Sequence, residues 1–269
     1  MATVAVLNQK GGVGKTTVVL GLAAAAQRRG DATLVVDLDP QGSAGWAMGV
    51  EADDDHLAVG DVLRTGDART AAAATVTSGW GVGVDVLPAS RNLIDREADT
   101  GAVAAVTRLR DALAPATDRY RLILIDCAPS LGPTTRAGLA ASDGVLLVAE
   151  LSALSLRGAD AVIDTIDQLD RELDDDRPGL DLYGTVINRA PSVSAEADRQ
   201  VEALERHLGR GMLWRPFIPQ RTALNEAVGR RCPVHDLGRR AGNIVGVFDA
   251  LYDRLLDRVA DPTGADGSV

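Results

Sequence analysis

Apolar positions along this 269-residue chain fall into short continuous runs, separated by longer stretches in which they recur every three or four residues. The runs at 3–7, 33–39, 121–126 and 144–150 are rich in Val, Ile and Leu and bounded by polar residues or glycine. Continuous rather than alternating hydrophobicity predicts strands covered on both faces, as in a parallel sheet. Residues 182–188 and 213–219 are weaker strand candidates. Residues 17–29 follow the helical pattern and stop at Gly30, a residue suited to the turn that ends a helix. Further helical patterns lie near 101–114, 133–142, 155–173, 194–208 and 222–229, and an amphipathic one near 241–259. Strands alternating with helices predict an α/β fold: one mostly parallel sheet with helices on both faces. No internal repeat or linker interrupts 1–260, which is read as one domain. The acidic stretch 174–179 reads as a helix-to-strand loop, and the polar tail 261–269 as disordered.

Composition narrows the picture. Aromatics are only 3%, so the core has to be aliphatic. No run of about 18 or more apolar residues is present, and the start lacks a secretory pattern, so a cytoplasmic protein without membrane attachment is expected. Cys127 and Cys232 lie in no CxxC pair and are read as reduced thiols. His56, His207 and His235 have no metal-ligand spacing. The 28 basic residues are 26 arginines and two lysines, Lys10 and Lys15, both in one glycine-rich stretch.

That stretch, Gln9-Lys10-Gly11-Gly12-Val13-Gly14-Lys15-Thr16-Thr17, lies between a predicted strand and a predicted helix. Glycines let consecutive N–H groups turn toward an anion, and the helix start adds partial positive charge. Lys15 is placed to reach the β- and γ-phosphates of a nucleotide, and the Thr16 hydroxyl to ligate Mg²⁺. Gln9 stands where the strict phosphate-loop pattern has glycine, and Lys10 adds a second cation. Asp126 closes one apolar run and suits the carboxylate that holds a metal's water shell. Asp37 and Asp39 close another, and strand alternation would place them on one face. Ligands in open α/β sheets bind beyond the carboxyl ends of strands, where these groups would converge. One of the carboxylates could position the attacking water.

Lys10 to Thr17, followed by Asp37-Leu38-Asp39-Pro40-Gln41-Gly42, resembles the ParA/MinD group of deviant Walker A P-loop ATPases. Residues 125–132, Leu-Arg-Gly at 156–158, Ile218-Pro219 and 224–227 also fit, so the resemblance spans roughly 2–258. It implies an ATP- and Mg²⁺-dependent ATPase, slow and partner-stimulated, that forms a homodimer with ATP sandwiched between subunits. Gly11, Gly12, Val13 and Gly14 would line the phosphates. Lys15 would contact the β/γ-phosphates in its own subunit, and Lys10 would reach across to the partner's nucleotide. Thr16 would ligate Mg²⁺, Thr17 would meet the α-phosphate, and Asp126 would take the Walker B role. Asp39 would orient the water, with a possible part in holding metal. Asn188 looks like the adenine-reading residue, and Pro219 would pack near the base. ParA-like members partition plasmids or chromosomes, so non-specific DNA and a ParB-like centromere-binding adaptor are the implied partners, with nucleoid association in the ATP state.

Two departures bear on this. Ala128 replaces the first proline of the usual Asp-x-Pro-Pro-Ser, and Ala223 stands where DNA-binding members carry arginine, while Arg221 lies two residues earlier. The chain opens on its first strand, as in the small ParA type, which does not itself read operator sequence. A MinD-like membrane cycle would need a basic amphipathic C-terminal helix, whereas 244–261 mixes Asp249, Asp253 and Asp257 with Arg254 and Arg258. A metabolic ligase or an iron–sulfur reductase on the same fold, and a nucleotide-locked scaffold, are also compatible with a phosphate loop. The reductase would need cluster cysteines in a different context.

The net charge of −10 argues against nucleic acid at first sight. It is unevenly spread: residues 51–188 carry 12 basic and 24 acidic side chains, and 189–258 carry 12 and nine. Arg189, Arg221, Arg230, Arg231, Arg239 and Arg240 in this last third are the candidate DNA contacts.

Overall fold

The computed structural model describes residues 1–51, 56–90, 93, 103–152, 155–173, 179–191, 195–209 and 211–261. Its strands are β1 (Ala2–Leu7), β2 (Thr33–Asp37), β3 (Val76–Thr77), β4 (Val84–Leu87), β5 (Leu122–Asp126), β6 (Gly144–Ala149), β7 (Asp181–Ile187) and β8 (Leu213–Trp214). They form one eight-stranded sheet in the order β3-β4-β2-β5-β1-β6-β7-β8. All pairs are parallel except the edge pair β3–β4. Every residue of β1, β2, β5 and β6 is buried, which is why their sequence reads as unbroken apolar runs.

The order of the strands fixes where a ligand can sit. From β1 the chain crosses over to β2 on one side, and from β5 it crosses to β6 on the other side of β1. The carboxyl ends of β1, β5 and β2 therefore border the point where the connections diverge.

Helices cover both faces. One face packs on α1 (Lys15–Arg29), α2 (Ser43–Ala47), α10 (Thr222–Gly229) and α11 (Ile244–Ala260) through residues such as Val4, Val35, Leu124, Leu22 and Phe248. The other packs on α3 (Val59–Thr65), α4 (Ala68–Ala74), α6 (Arg108–Leu113), α7 (Pro133–Ala140) and α8 (Ser155–Leu173) through residues such as Leu34, Ile123, Ile125, Val62 and Val162. The short helix α5 (Val103–Val106) precedes α6, and α9 (Ala195–Leu208) lies toward the β8 edge, where Val201 and Leu204 meet Leu213. At Gly21 in α1 a β-carbon would overlap the Phe248 ring, so glycine there lets α1 and α11 approach closely. The pair is also pinned at its rim by ion pairs of Arg28 with Asp249 and Arg29 with Asp253.

The fold is the expected mostly parallel α/β sheet, with local differences. β2 ends at Asp37 rather than 39, because the Asp37 carboxylate accepts the Asp39 N–H (3.2 Å) and the Gly45 N–H (2.9 Å) and turns the chain out of the ladder. Asp37 and Asp39 are therefore not two alternating positions of one strand. The span 213–219 forms a continuous strand only over Leu213–Trp214, as Pro216 has no N–H to extend the ladder, and pairing resumes at the isolated Ala190–Pro219 bridge. The pattern at 101–114 is two short helices, α5 and α6, leading into a 3₁₀ turn at Ala114–Asp118. The final helix begins at Ile244, after a 3₁₀ segment Val234–Ala241 and Gly242 at φ 59°. Residues 174–178 and 262–269 lie outside the described residues, so the expected acidic loop and polar tail are not characterised. No helix among the described residues is long and apolar enough to cross a membrane. Cys127 and Cys232 are both free thiols.

Candidate functional site

The loop from Asn8 to Gly14 leaves β1 and enters α1 at Lys15. Gly12 (φ 81°) and Gly14 (φ 94°) adopt the left-handed region that favours glycine. At Gly14 a β-carbon would also overlap the Asn188 amide, so two independent constraints exclude a side chain. α1 starts with no side-chain cap on its first-turn N–H groups. Donors left uncapped at a helix start, behind a glycine-rich turn, form an anion site.

The charged groups gather beneath this loop. Lys15 is only 7% exposed. Burial lowers its pKa, a shift opposed by the nearby Asp126 and Asp39 carboxylates. The Thr16 hydroxyl donates to Asp126 Oδ2 at 2.7 Å. Asp126 is fully buried, and its Oδ1 has no hydrogen-bond partner among the described residues. It stands directly beside Asp37, since the two are paired across β5 and β2. Burial, reinforced by the Asp37 charge, pushes the Asp126 carboxyl well above the usual carboxylate range. Burial likewise raises Asp37 to about 7, against the pull of its backbone hydrogen bonds. Two adjacent buried carboxylates with one orphaned oxygen are costly unless positive charge reaches them. The donor set, a hydroxyl and carboxylate oxygens, suits a hard divalent cation such as Mg²⁺.

Asp39 lies just outside β2 and is half-buried, with Oδ1 accepting the Gln41 N–H at 2.9 Å. Gly11 and Lys10 are exposed on the outer part of the loop, Thr17 is half-buried in α1, and Val13 is buried. Asn188 is nearly fully buried and donates from Nδ2 to the Val13 carbonyl at 2.8 Å. Pro219 forms a parallel bridge with Ala190, which brings the 188–190 and 218–219 segments together at one edge of the loop. Asp39, Asp126 and Asn188, far from the loop in sequence, are thus brought against the segment that carries Lys10, Lys15 and Thr16.

The six arginines differ in what they touch. Arg189 donates to the Gly12 carbonyl (2.7 Å) and pairs with Glu150 (3.0 Å), so the structure sets it against the phosphate loop. Arg231 lies over the Trp46 ring, donates to the Trp46 carbonyl (2.8 Å) and pairs with Glu51 (2.8 Å). Arg230 and Arg240 both pair with Glu226, at 2.9 and 2.8 Å. Arg221 and Arg239 are exposed and make no ion pair among the described residues.

Two residues that the sequence alone does not single out also belong here. Asn8 donates to the Val148 carbonyl (2.7 Å) and accepts the Lys10 N–H (2.8 Å), so it fixes the start of the loop. Its only signal is an amide closing an apolar run just before the glycines. Glu150 pairs with Lys10 (3.4 Å) as well as with Arg189, and nothing in its local sequence distinguishes it from any acid after a strand.

A family model described as an AAA domain matches residues 1–177. The chromosome partitioning protein ParA of Caulobacter vibrioides is 33% identical over 87% of this chain and 86% of its own length. The chromosome-partitioning ATPase Soj of Thermus thermophilus is 36% identical over 83% of each chain. Among solved structures, cobyrinic acid a,c-diamide synthase from Mycobacterium smegmatis with bound ADP and magnesium matches with a TM-score of 0.78 and 27% identity, over 97% of this chain and 96% of that one. Sequence relatives, sheet order and the glycine loop agree: the chain belongs to the ParA-like family of deviant Walker A P-loop ATPases.

Proposed function

We propose that this chain is an ATP-hydrolysing dimeric switch for partitioning DNA. ATP promotes a dimer that binds DNA without sequence preference, and hydrolysis, stimulated by a ParB-like centromere-binding adaptor, releases it. The observation that carries the nucleotide reading is the Asp126 carboxylate, buried with one oxygen unpartnered beside Lys15 and Thr16 at the foot of an uncapped helix start.

In this reading the N–H groups of residues 11–17 cradle the phosphates, and Lys15 neutralises the β/γ oxygens. Thr16 and Asp126 would hold Mg²⁺. Bound Mg²⁺ offsets the charge of the triphosphate oxygens. Asp39, at the rim and outside the strand, orients the attacking water and is a possible further metal contact. Asn188 and Pro219 border the base. Lys10 is half-exposed on the outer side of the loop rather than directed under it, which supports a role toward a partner subunit's nucleotide. The protein would be cytoplasmic, and nucleoid-associated in its ATP form.

The DNA face is assigned to Arg221 and Arg239, the exposed arginines of the set with no ion pair among the described residues, together with the exposed Arg230 and Arg240. Arg231 and Arg189 are left out, because their side chains are held on the Trp46 and Gly12 carbonyls. The double charge reversal Arg221→Glu with Arg239→Glu should lower ATP-dependent retention of non-specific duplex DNA at least about tenfold at low salt. The dependence of retention on salt should also become shallower, because fewer phosphates are neutralised. Nucleotide affinity should stay unchanged. Unaltered retention, or retention that needs no ATP, contradicts the assignment.

A second reading, an amide-forming ligase, is favoured by the 27% identity to the diamide synthase structure. Turnover of ATP that requires a carboxylic acid and an amide donor, and that ignores DNA, would select it.

A further inference from the structure

Arg189 follows Asn188 at the end of β7 and has φ 53°, an uncommon backbone for a long side chain. Strained residues of this kind persist where their surroundings hold them. Here Nη1 donates to the Gly12 carbonyl (2.7 Å) and to Glu150 Oε1 (3.0 Å), and the other Glu150 oxygen accepts Lys10 Nζ (3.4 Å). Asn188 meanwhile holds the next carbonyl, that of Val13. Two consecutive residues just past β7 therefore hold two consecutive carbonyls of the phosphate loop.

The planar trans peptide turns this into a constraint on the anion site. Its N–H points opposite to its carbonyl, so fixing the Gly12 and Val13 carbonyls toward Arg189 and Asn188 turns the Val13 and Gly14 N–H groups away from them. Those N–H groups are the ones an anion needs. Arg189 also shares the Glu150 carboxylate with Lys10, and both cationic side chains are half-exposed.

We propose that Arg189 is a positioning residue of the phosphate loop and that, through Glu150, it forms a latch holding Lys10 on its own subunit until the ATP dimer assembles. The proposal rests on the reading that ATP binds this loop and that Lys10 serves the partner's nucleotide. In it, Arg189 presets the loop for phosphate, and Glu150 is the group Lys10 must leave in order to cross the interface. A DNA contact by Arg189, as its sequence position suggested, is the rival.

The test uses the full chain with Mg²⁺ and a fluorescent non-hydrolysable ATP analogue, with affinity read by titration and dimer formation by sedimentation velocity. Arg189→Ala should weaken analogue binding about tenfold, the loss of a charge-assisted hydrogen bond. Glu150→Gln keeps an acceptor for Arg189 but releases Lys10. It should leave affinity within about twofold and shift dimer formation to about fivefold lower protein concentration, the size of a weak surface ion pair. A purely structural role would move both variants in the same direction. The proposal is overturned if Arg189→Ala keeps analogue affinity and loses only DNA retention, or if Glu150→Gln impairs the dimer as Arg189→Ala does. If the unmutated protein fails to bind the analogue, the nucleotide reading itself falls and takes this one with it. Normal binding with unmoved variants overturns the latch alone.

Discussion

Asp126→Asn is expected to stabilise the nucleotide-free protein while removing its ATPase activity. In the folded chain Asp126 is buried against Asp37, with one oxygen bonded to Thr16 and the other unpartnered. Asparagine keeps an acceptor for the Thr16 hydroxyl and removes the like-charge contact. Removing a buried charge that Thr16 and Lys15 only partly offset should raise stability by about 1–3 kcal/mol at pH 8. The same change removes the carboxylate proposed to hold the metal's water shell, so turnover should fall at least about 10³-fold. The sign of the pH dependence is fixed. A carboxyl with a raised folded pKa binds more protons folded than unfolded, so the Asp126 contribution to wild-type stability drops as pH rises above about 4, the usual carboxylate value. The advantage of Asp126→Asn should therefore be largest near pH 8 and shrink toward about pH 5. Thermal melts of both proteins across that range check it. An asparagine variant less stable than wild type at pH 8 would mean that the carboxylate is compensated in a way the buried pair does not show.

Asp39→Ala carries the second large effect. Asp39 sits where β2 has already ended, half-buried, with its Oδ1 accepting the Gln41 N–H of the following turn. A carboxylate at the rim with a solvent-facing side can orient water, while the deeply buried Asp37 and Asp126 cannot reach outward. Removing it should slow hydrolysis about 10²–10⁴-fold, the usual contribution of a general-base or water-orienting group. Nucleotide binding should survive, because the glycine loop, Lys15 and Thr16 remain. The ATP-bound dimer should then outlast its wild-type counterpart by the same factor. Phosphate release and dimer lifetime, measured in one experiment with ATP and Mg²⁺, separate this from a binding defect. Hydrolysis at the wild-type rate would remove Asp39 from the mechanism.

The central strands and the glycine loop are readable from sequence because burial on both faces leaves continuous apolar runs, and because the loop needs glycine at particular dihedrals. Residues 43–87 are not: α2 and α4 are short and rich in Ala, α3 has only seven residues, and β3 and β4 span two and four residues with β3 exposed, so neither helical nor strand periodicity has room to show. The Asp37–Asp39 geometry departs from expectation for a different reason. The turn that ends β2 is made by the Asp37 side chain itself, bonded to Asp39 and Gly45, and alternation rules stop applying at a side-chain-driven turn. Arg189 shows the limit of charge counting. It belongs by sequence to an arginine-rich third of the chain, yet its contacts are a loop carbonyl 177 residues away and Glu150.

In the proposed function ATP, through Lys10, joins two copies of this chain. Sedimentation velocity on the full chain with Mg²⁺ and either ADP or a non-hydrolysable ATP analogue, for wild type and Lys10→Ala, tests it directly. The expected results are a monomer with ADP, a dimer with the analogue, and a Lys10→Ala protein that binds the analogue yet stays monomeric. One sedimenting species in both nucleotides, or a Lys10→Ala protein that dimerises like wild type, would contradict it.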